Sequence, residues 1–213
     1  CTPNQPRNDD LLAELERQGI RVIHVEPHRR QPPEGSFVFP DYRRGGAMAA
    51  TALVAAGYDH FRFVSVEGDG PHAAIVREGF IEALRDQRAD TDPDQVGVAL
   101  PTSFEKNPAG LAAFGRFLGA LPPNTGILAR SSDLAESLAD LLRQSGRRIP
   151  EDVGIVGVKH LLNYRAEGET DAVDYDWEGL LREALNAAAA PAWKGIHAWA
   201  KPCLTRNGTV REP

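Results

Sequence analysis

The feature that most constrains how this chain can fold is a regular alternation of short apolar runs with helix-period segments, sustained almost from end to end. Phe61–Val66, Val96–Leu100, Gly126–Ala129 and Val153–Val158 are apolar runs of strand length. Between them, Val76, Phe80, Ala83 and Leu84 share one helical face, and Leu111, Phe114, Leu118 and Leu121 stripe a second helix. Leu134, Leu138, Leu141 and Leu142 mark a third, closed by Gly146. Arg43–Ala56, Ala-rich and ended by Gly57, also reads as a helix, preceded by a Pro-rich loop. At the N-terminal side, Asn8 caps a helix carrying Leu11, Leu12 and Leu15 that stops at Gly19, followed by a strand over Ile20–Val25. At the other end, Trp177, Leu180, Leu181, Ala184 and Leu185 form a late helix before a strand near Cys203–Arg206. Short strands separated by amphipathic helices imply βαβ units around parallel sheets, an α/β fold. Ligands of such folds bind beyond the carboxyl ends of the strands. The junctions to watch are therefore Asp41–Arg44, Gly68–Arg77, Thr102–Asn107, Arg130–Asp133 and Lys159–Asn163.

Several function classes are disfavoured at this level. A net charge of −6 is the wrong sign for a free-standing nucleic-acid surface. The short basic clusters His28-Arg29-Arg30 and Arg43-Arg44 read as solvated residues. Two cysteines, Cys1 and Cys203, stand at opposite ends and suit a reducing cytoplasm. No apolar run reaches membrane-spanning length, so a cytoplasmic protein with no membrane partner is expected. Gly68-Asp69-Gly70 lacks the third glycine of a dinucleotide loop and any Gly-Lys-Ser/Thr ending, and reads as a strand-to-helix crossover. The six histidines show no metal-ligand spacing, so neither metal nor cofactor is expected. No nucleophile elbow occurs, and Ser131-Ser132-Asp133 reads as a helix N-cap. The expectation is a binding module, not an enzyme.

Several junctions, in order, resemble the effector-binding domain of the lactose-repressor (LacI) family. Asp41-Tyr-Arg-Arg-Gly45-Gly46-Ala-Met-Ala49 is similar to that family's Asp-x-x-x-Gly-Gly-x-x-Ala segment, and Gly79-Phe80-Ile-Glu-Ala83-Leu84 to its Gly-Phe-x-x-Ala-Leu helix. Ile149-Pro150-Glu151-Asp152-Val153-Gly-Ile155-Val156-Gly157 is the most specific match, against Val-Pro-Glu-Asp-Val-Ser-Val-Val-Gly. Ser103-Phe104 stands where the family carries an aromatic that stacks on effector, and Cys203–Thr209 resembles its terminal strand. The segment Phe117–Ala129 narrows the resemblance to the xylose-regulator branch, in which an AraC-type pair of helix-turn-helix motifs follows.

The resemblance implies a two-lobed, periplasmic-binding-protein-like fold whose N-terminal lobe is incomplete here. Residues 1–66 plus 174–199 would form one lobe, and 67–173 plus 200–213 the other. It also implies a small-molecule effector between the lobes, a homodimer, and DNA contact only through a domain outside this chain. The implied ligand-binding residues are Asp41, Arg44, Phe104, Ser131, Ser132, Lys159 and His160. Departures from the family pattern are concentrated in the same place. The family's effector-binding arginine falls on Val76, with Arg77 rotated by about 100° away from it. Its Asn-Asp pair is Ser131-Ser132, and its Asp after Val-Gly-x is Lys159. Three readings stay open: a changed, anionic ligand held by Arg44, Lys159 and His160; a decayed pocket; or Lys159 and His160 as solvated loop residues. A solute-binding protein of a transport system is the alternative function class.

Overall fold

The computed structural model describes residues 6–25, 35–88, 92–102, 104–106, 108–160 and 168–212. The elements follow in the order α1 (Pro6–Arg17), β1 (Ile23–His24), β2 (Ser36–Pro40), α2 (Tyr42–Ala55), β3 (His60–Val66) and α3 (Pro71–Gln87). A single turn α4 (Pro93–Val96) leads into β4 (Gly97–Leu100), then a 3-10 turn at Phe104–Lys106 and α5 (Pro108–Ala120). The chain continues through β5 (Thr125–Ala129), α6 (Ser132–Gln144), β6 (Val153–Val158) and β7 (Asp171–Tyr175). It ends with α7 (Trp177–Ala189), β8 (His197–Ala200) and β9 (Pro202–Thr205).

The strands form two sheets. One has three parallel strands in the order β1-β2-β8; the other has six in the order β4-β3-β5-β6-β7-β9, parallel except for the last pair. Successive side chains of a strand alternate between faces, and the six-stranded sheet is buried on both. Phe61, Phe63, Leu128, Val156, Val158 and Val173 enter a core with α2 and α3. Val64, Ile127, Ala129, Val153 and Ile155 enter a second core with α5 and α6. Burial on both faces is why these strands read as largely apolar runs.

Two sequence expectations are corrected. β3 pairs with β4 and β5, so it belongs to the six-stranded sheet and the first lobe does not extend to Val66. The chain passes between the sheets at Asp41, returns at Asp176 and crosses again at Lys201. Helix α1 begins at Pro6, two residues before the expected cap at Asn8, since proline's missing N–H costs nothing at a first helical position. Three strands are absent from the sequence expectations. In β2 a Phe-Val-Phe run stands beside prolines, in β7 two aspartates interrupt the apolar pattern, and β8 is a four-residue edge strand.

Two of the three crossings are built alike. Asp41 (φ −78°, ψ 74°) caps α2 by accepting the Arg44 N–H at 3.0 Å. Asp176 (φ −72°, ψ 74°) caps α7 by accepting the Gly179 N–H at 2.8 Å. α2 packs over the six-stranded sheet and α7 over the three-stranded one. The C-terminal segment is tied to the larger sheet by the fully buried Asp171. Its carboxylate accepts from the backbone N–H of Asn207 (2.8 Å) and Thr209 (3.0 Å) and pairs with Arg206 (3.2 Å). The Thr209 hydroxyl donates to the Ile155 carbonyl at 2.8 Å and accepts from the Asp171 N–H at 2.7 Å.

Helices α2 and α3 touch backbone to backbone. A Cβ on Gly79 would stand 1.9 Å from the Arg43 carbonyl oxygen, and one on Gly46 would stand 2.1 Å from that of Val76. The glycines of the Gly-Gly and Gly-Phe motifs are thus required by close packing. Gly79→Ala is expected to destabilise the chain by about 2–3 kcal/mol through overpacking. Gly115→Ala, on α5 where a Cβ meets nothing within 4 Å, should instead stabilise it by about 0.5–1 kcal/mol. Urea unfolding of both variants beside the parent chain checks the contrast.

Candidate functional site

At the carboxyl ends of β2, β3, β5 and β6 the structure assembles one polar cluster. Tyr42, the first residue of α2, lies against His160, which follows β6. Its hydroxyl is 3.2 Å from His160 Nδ1, while His160 Nε2 is 2.9 Å from the Arg130 carbonyl oxygen. A carbonyl can only accept, so Nε2 carries the proton; in the neutral ring Nδ1 then accepts from Tyr42. His72, near the start of α3, completes the group, its ring 4.7 Å from His160 and 6.0 Å from Tyr42. The Arg130 guanidinium, just past β5, pairs with Asp69 at 3.0 Å, and Asp69 also accepts from the Val66 N–H at 2.9 Å. Gly68-Asp69-Gly70 is therefore a crossover pinned by its own carboxylate.

Burial dominates the electrostatics of this cluster. It pushes His72 down to about 4, helped by the nearby His160 and Arg130 charges. It pushes Asp69 upward against the Val66 hydrogen bond and the Arg130 and His160 charges. Tyr175 is raised well above its ordinary value, by burial first and then by Asp41 and Asp174. Four neutral polar atoms in this region are buried without a hydrogen-bond partner: His72 Nε2, Ser132 Oγ, Tyr175 Oη and Trp177 Nε1.

The expected site residues separate into two groups. Asp41, Ser131, Ser132, Lys159 and His160 all stand at strand ends. Asp41 and Ser131 use their side chains as N-caps, Ser131 accepting from the Leu134 N–H at 3.3 Å. Lys159 Nζ lies 3.1 Å from Asp174 Oδ2, both side chains largely buried. This pairing corrects the reading of Lys159 as a solvated loop residue. Arg44 and Phe104 lie elsewhere. Arg44 is exposed on a shallow groove of about 290 Å³ between α2 and α3, beside the Arg43–Glu82 ion pair. Phe104 is 1% exposed and packs on Phe114 at 5.7 Å, so in this structure it offers no face for stacking. Arg77 leans over Gly97 of β4, while Val76 is fully buried. Ser103, Asn107 and Leu161–Asn163 lie outside the described residues.

Tyr42, His72 and Tyr175 are not among the expected site residues, and Trp177 is expected only as a residue of the late helix. Tyr42 sits inside the quoted Asp-Tyr-Arg-Arg segment, and His72 inside the flagged 68–77 junction. Only the crossing of α2 over α3 and the unrecognised strand β7 bring them together.

Two mainly parallel sheets joined by three crossings, with a polar cluster at their strand ends, define an α/β fold of two sheets. Comparison with known proteins places the chain: residues 50–192 match the periplasmic binding protein-like domain, and the chain belongs to that family. It is similar to the HTH-type transcriptional regulator CelR of Thermobifida fusca, 30% identical over 154 residues, covering 71% of this chain and 44% of that protein. It is similar also to the arabinose metabolism transcriptional repressor of Halalkalibacterium halodurans, 28% identical over 152 residues, covering 70% and 39%. The chain spans less than half the length of these curated relatives. Among solved structures, a LacI family transcriptional regulator from Enterococcus faecium with bound ribose superposes with a TM-score of 0.75 at 20% identity, covering 95% of this chain and 75% of that one. Among the described residues no helix is long and apolar enough to cross a membrane, and no group of three or more metal-ligating side chains occurs.

The depressed His72 has a measurable consequence. Its folded-state value lies below the unfolded 6.5, so the unfolded chain binds the proton first as pH falls. Stability is therefore complete above pH 6.5 and declines toward pH 4, by roughly 3 kcal/mol if the full shift is realised. Urea midpoints at pH 7 and 4.5 should differ clearly for the parent chain and much less for His72→Gln.

Proposed function

We propose that this chain is the effector-binding part of a LacI-type transcription regulator, non-catalytic and cytoplasmic, which senses a sugar or related small molecule between its two sheets. The observation that carries this reading is the set of buried, unpartnered polar atoms gathered at the strand ends, His72 Nε2, Ser132 Oγ, Tyr175 Oη and Trp177 Nε1. Leaving such groups unpaired costs about 1–3 kcal/mol each, and a hydroxyl-rich molecule supplies complementary donors and acceptors. Both curated relatives are named as transcriptional regulators, and the Enterococcus faecium structure holds ribose. We assign ligand contact to Asp41, Ser131, Ser132 and His160, joined by Tyr42 and His72, and leave Arg44 and Phe104 out of the contact set. Homodimerisation and DNA binding through a separate domain belong to the same proposal. The narrower xylose-regulator assignment rests on Phe117–Ala129, which here forms the end of α5 and strand β5, and D-xylose is its test compound.

A thermal-shift screen of pentoses, hexoses and β-linked disaccharides tests the reading. A sugar present at a hundred times its dissociation constant should stabilise the folded state by about 2.7 kcal/mol, and His72→Ala should remove that response. Absence of any response across the panel would falsify the proposal.

A further inference from the structure

Among the described residues, the half-buried charged groups at these strand ends are engaged by the chain itself. Arg130 faces Asp69 at 3.0 Å, Lys159 faces Asp174 at 3.1 Å, and Asp41 is engaged by the Arg44 N–H. Of the buried side-chain atoms here without a hydrogen-bond partner, His72 Nε2, Ser132 Oγ, Tyr175 Oη and Trp177 Nε1 are uncharged, and the one charged group, Arg130 Nε, lies 3.0 Å from the Asp69 carboxylate. The Lys159–Asp174 pair joins two neighbouring strands: Lys159 extends β6, its N–H donating to the Val173 carbonyl of β7 at 2.9 Å, and Asp174 follows in β7. Their side chains are only 13% and 20% exposed, so water screens neither charge well. Asp174 is further fixed because its Oδ1 accepts from the Tyr175 N–H at 2.7 Å. Tyr175 and Trp177, two of the residues with unpartnered polar atoms, follow directly along the same segment.

We propose that Lys159 and Asp174 together determine charge selectivity at this site, holding it neutral so that uncharged polyols enter and carboxylated or phosphorylated ones are excluded. This rests on the binding reading above and assigns its ligand class and a residue pair that sets it. An anionic ligand would have to pull Lys159 away from Asp174 and leave a carboxylate largely buried and unpaired, the arrangement that makes breaking such pairs costly. A cationic ligand meets the mirror-image obstacle. An aldose asks for neither.

The experiment compares each neutral aldose with its own aldonate, D-ribose with D-ribonate, L-arabinose with L-arabinonate and cellobiose with cellobionate, by thermal shift and calorimetric titration on the full chain. The parent chain should bind at least one aldose tenfold or more tightly than its aldonate. Asp174→Asn, which keeps the Oδ1 acceptor for Tyr175 but releases the lysine, should tighten aldonate binding at least tenfold and leave the aldose within threefold. The double variant Lys159→Met/Asp174→Asn removes the released charge and should return the preference to the aldose, separating charge from any general loosening of the fold. A parent chain that prefers the aldonate, or an Asp174→Asn variant with unchanged selectivity, overturns the role of the pair while leaving sugar binding intact. Silence of all three proteins toward every compound overturns the binding reading itself and the pair's role with it.

Discussion

The contact between α2 and α3 at Gly46 and Gly79 governs the rest of the arrangement. Helices normally stay 8–10 Å apart because side chains hold them off; here two glycines let each helix meet the backbone of the other. That approach sets Tyr42, at the first turn of α2, against His72, at the first turn of α3. His160 then closes onto both from the end of β6. A residue pair well inside the helices thus fixes the geometry of side chains one to two turns away. The cluster inherits its precision from the helix crossing.

Burial then decides the chemistry of what has been brought together. Tyr42 and Tyr175 are almost wholly enclosed, and His72 is held neutral. The charged residues that share the region tolerate enclosure only as pairs, Arg130 with Asp69 and Lys159 with Asp174. The result is a polar but charge-balanced interior edge whose remaining capacity is for hydrogen bonding.

Much of the architecture was legible in the sequence because the six-stranded sheet is covered on both faces. Its strands β5 and β6 therefore carry apolar or small residues at nearly every step, β3 carries Phe61, Phe63, Val64 and Val66, and α3, α5 and α6 repeat apolar residues at helical spacing. The strands that were missed are those where another force substitutes for the hydrophobic pattern. Asp171 is fully buried in β7 because three backbone and side-chain groups of the C-terminal segment satisfy it, and no periodicity announces that. The site was legible as a set of junctions but not as a set of partners. Phe104 and Lys159 illustrate the gap: each occupies a position the resemblance flags, yet one turns into the α5 core and the other onto a strand neighbour. Which way a side chain turns depends on β7 and on the helix crossing, neither of which one sequence displays.

The matched joints at Asp41 and Asp176 bear on how the two sheets are connected. Each is an aspartate with nearly the same backbone angles, bonded to the first turn of the helix behind it. One of those helices rides on the six-stranded sheet and the other on the three-stranded sheet, so each body carries one of the two pins. Because each aspartate is bonded into the helix it starts, each of these two crossings is continuous with a helix instead of being a free loop. Lys201, the third crossing, has no helix behind it, and it is tied to the first because the Asp41 N–H donates to the Ala200 carbonyl at 2.9 Å.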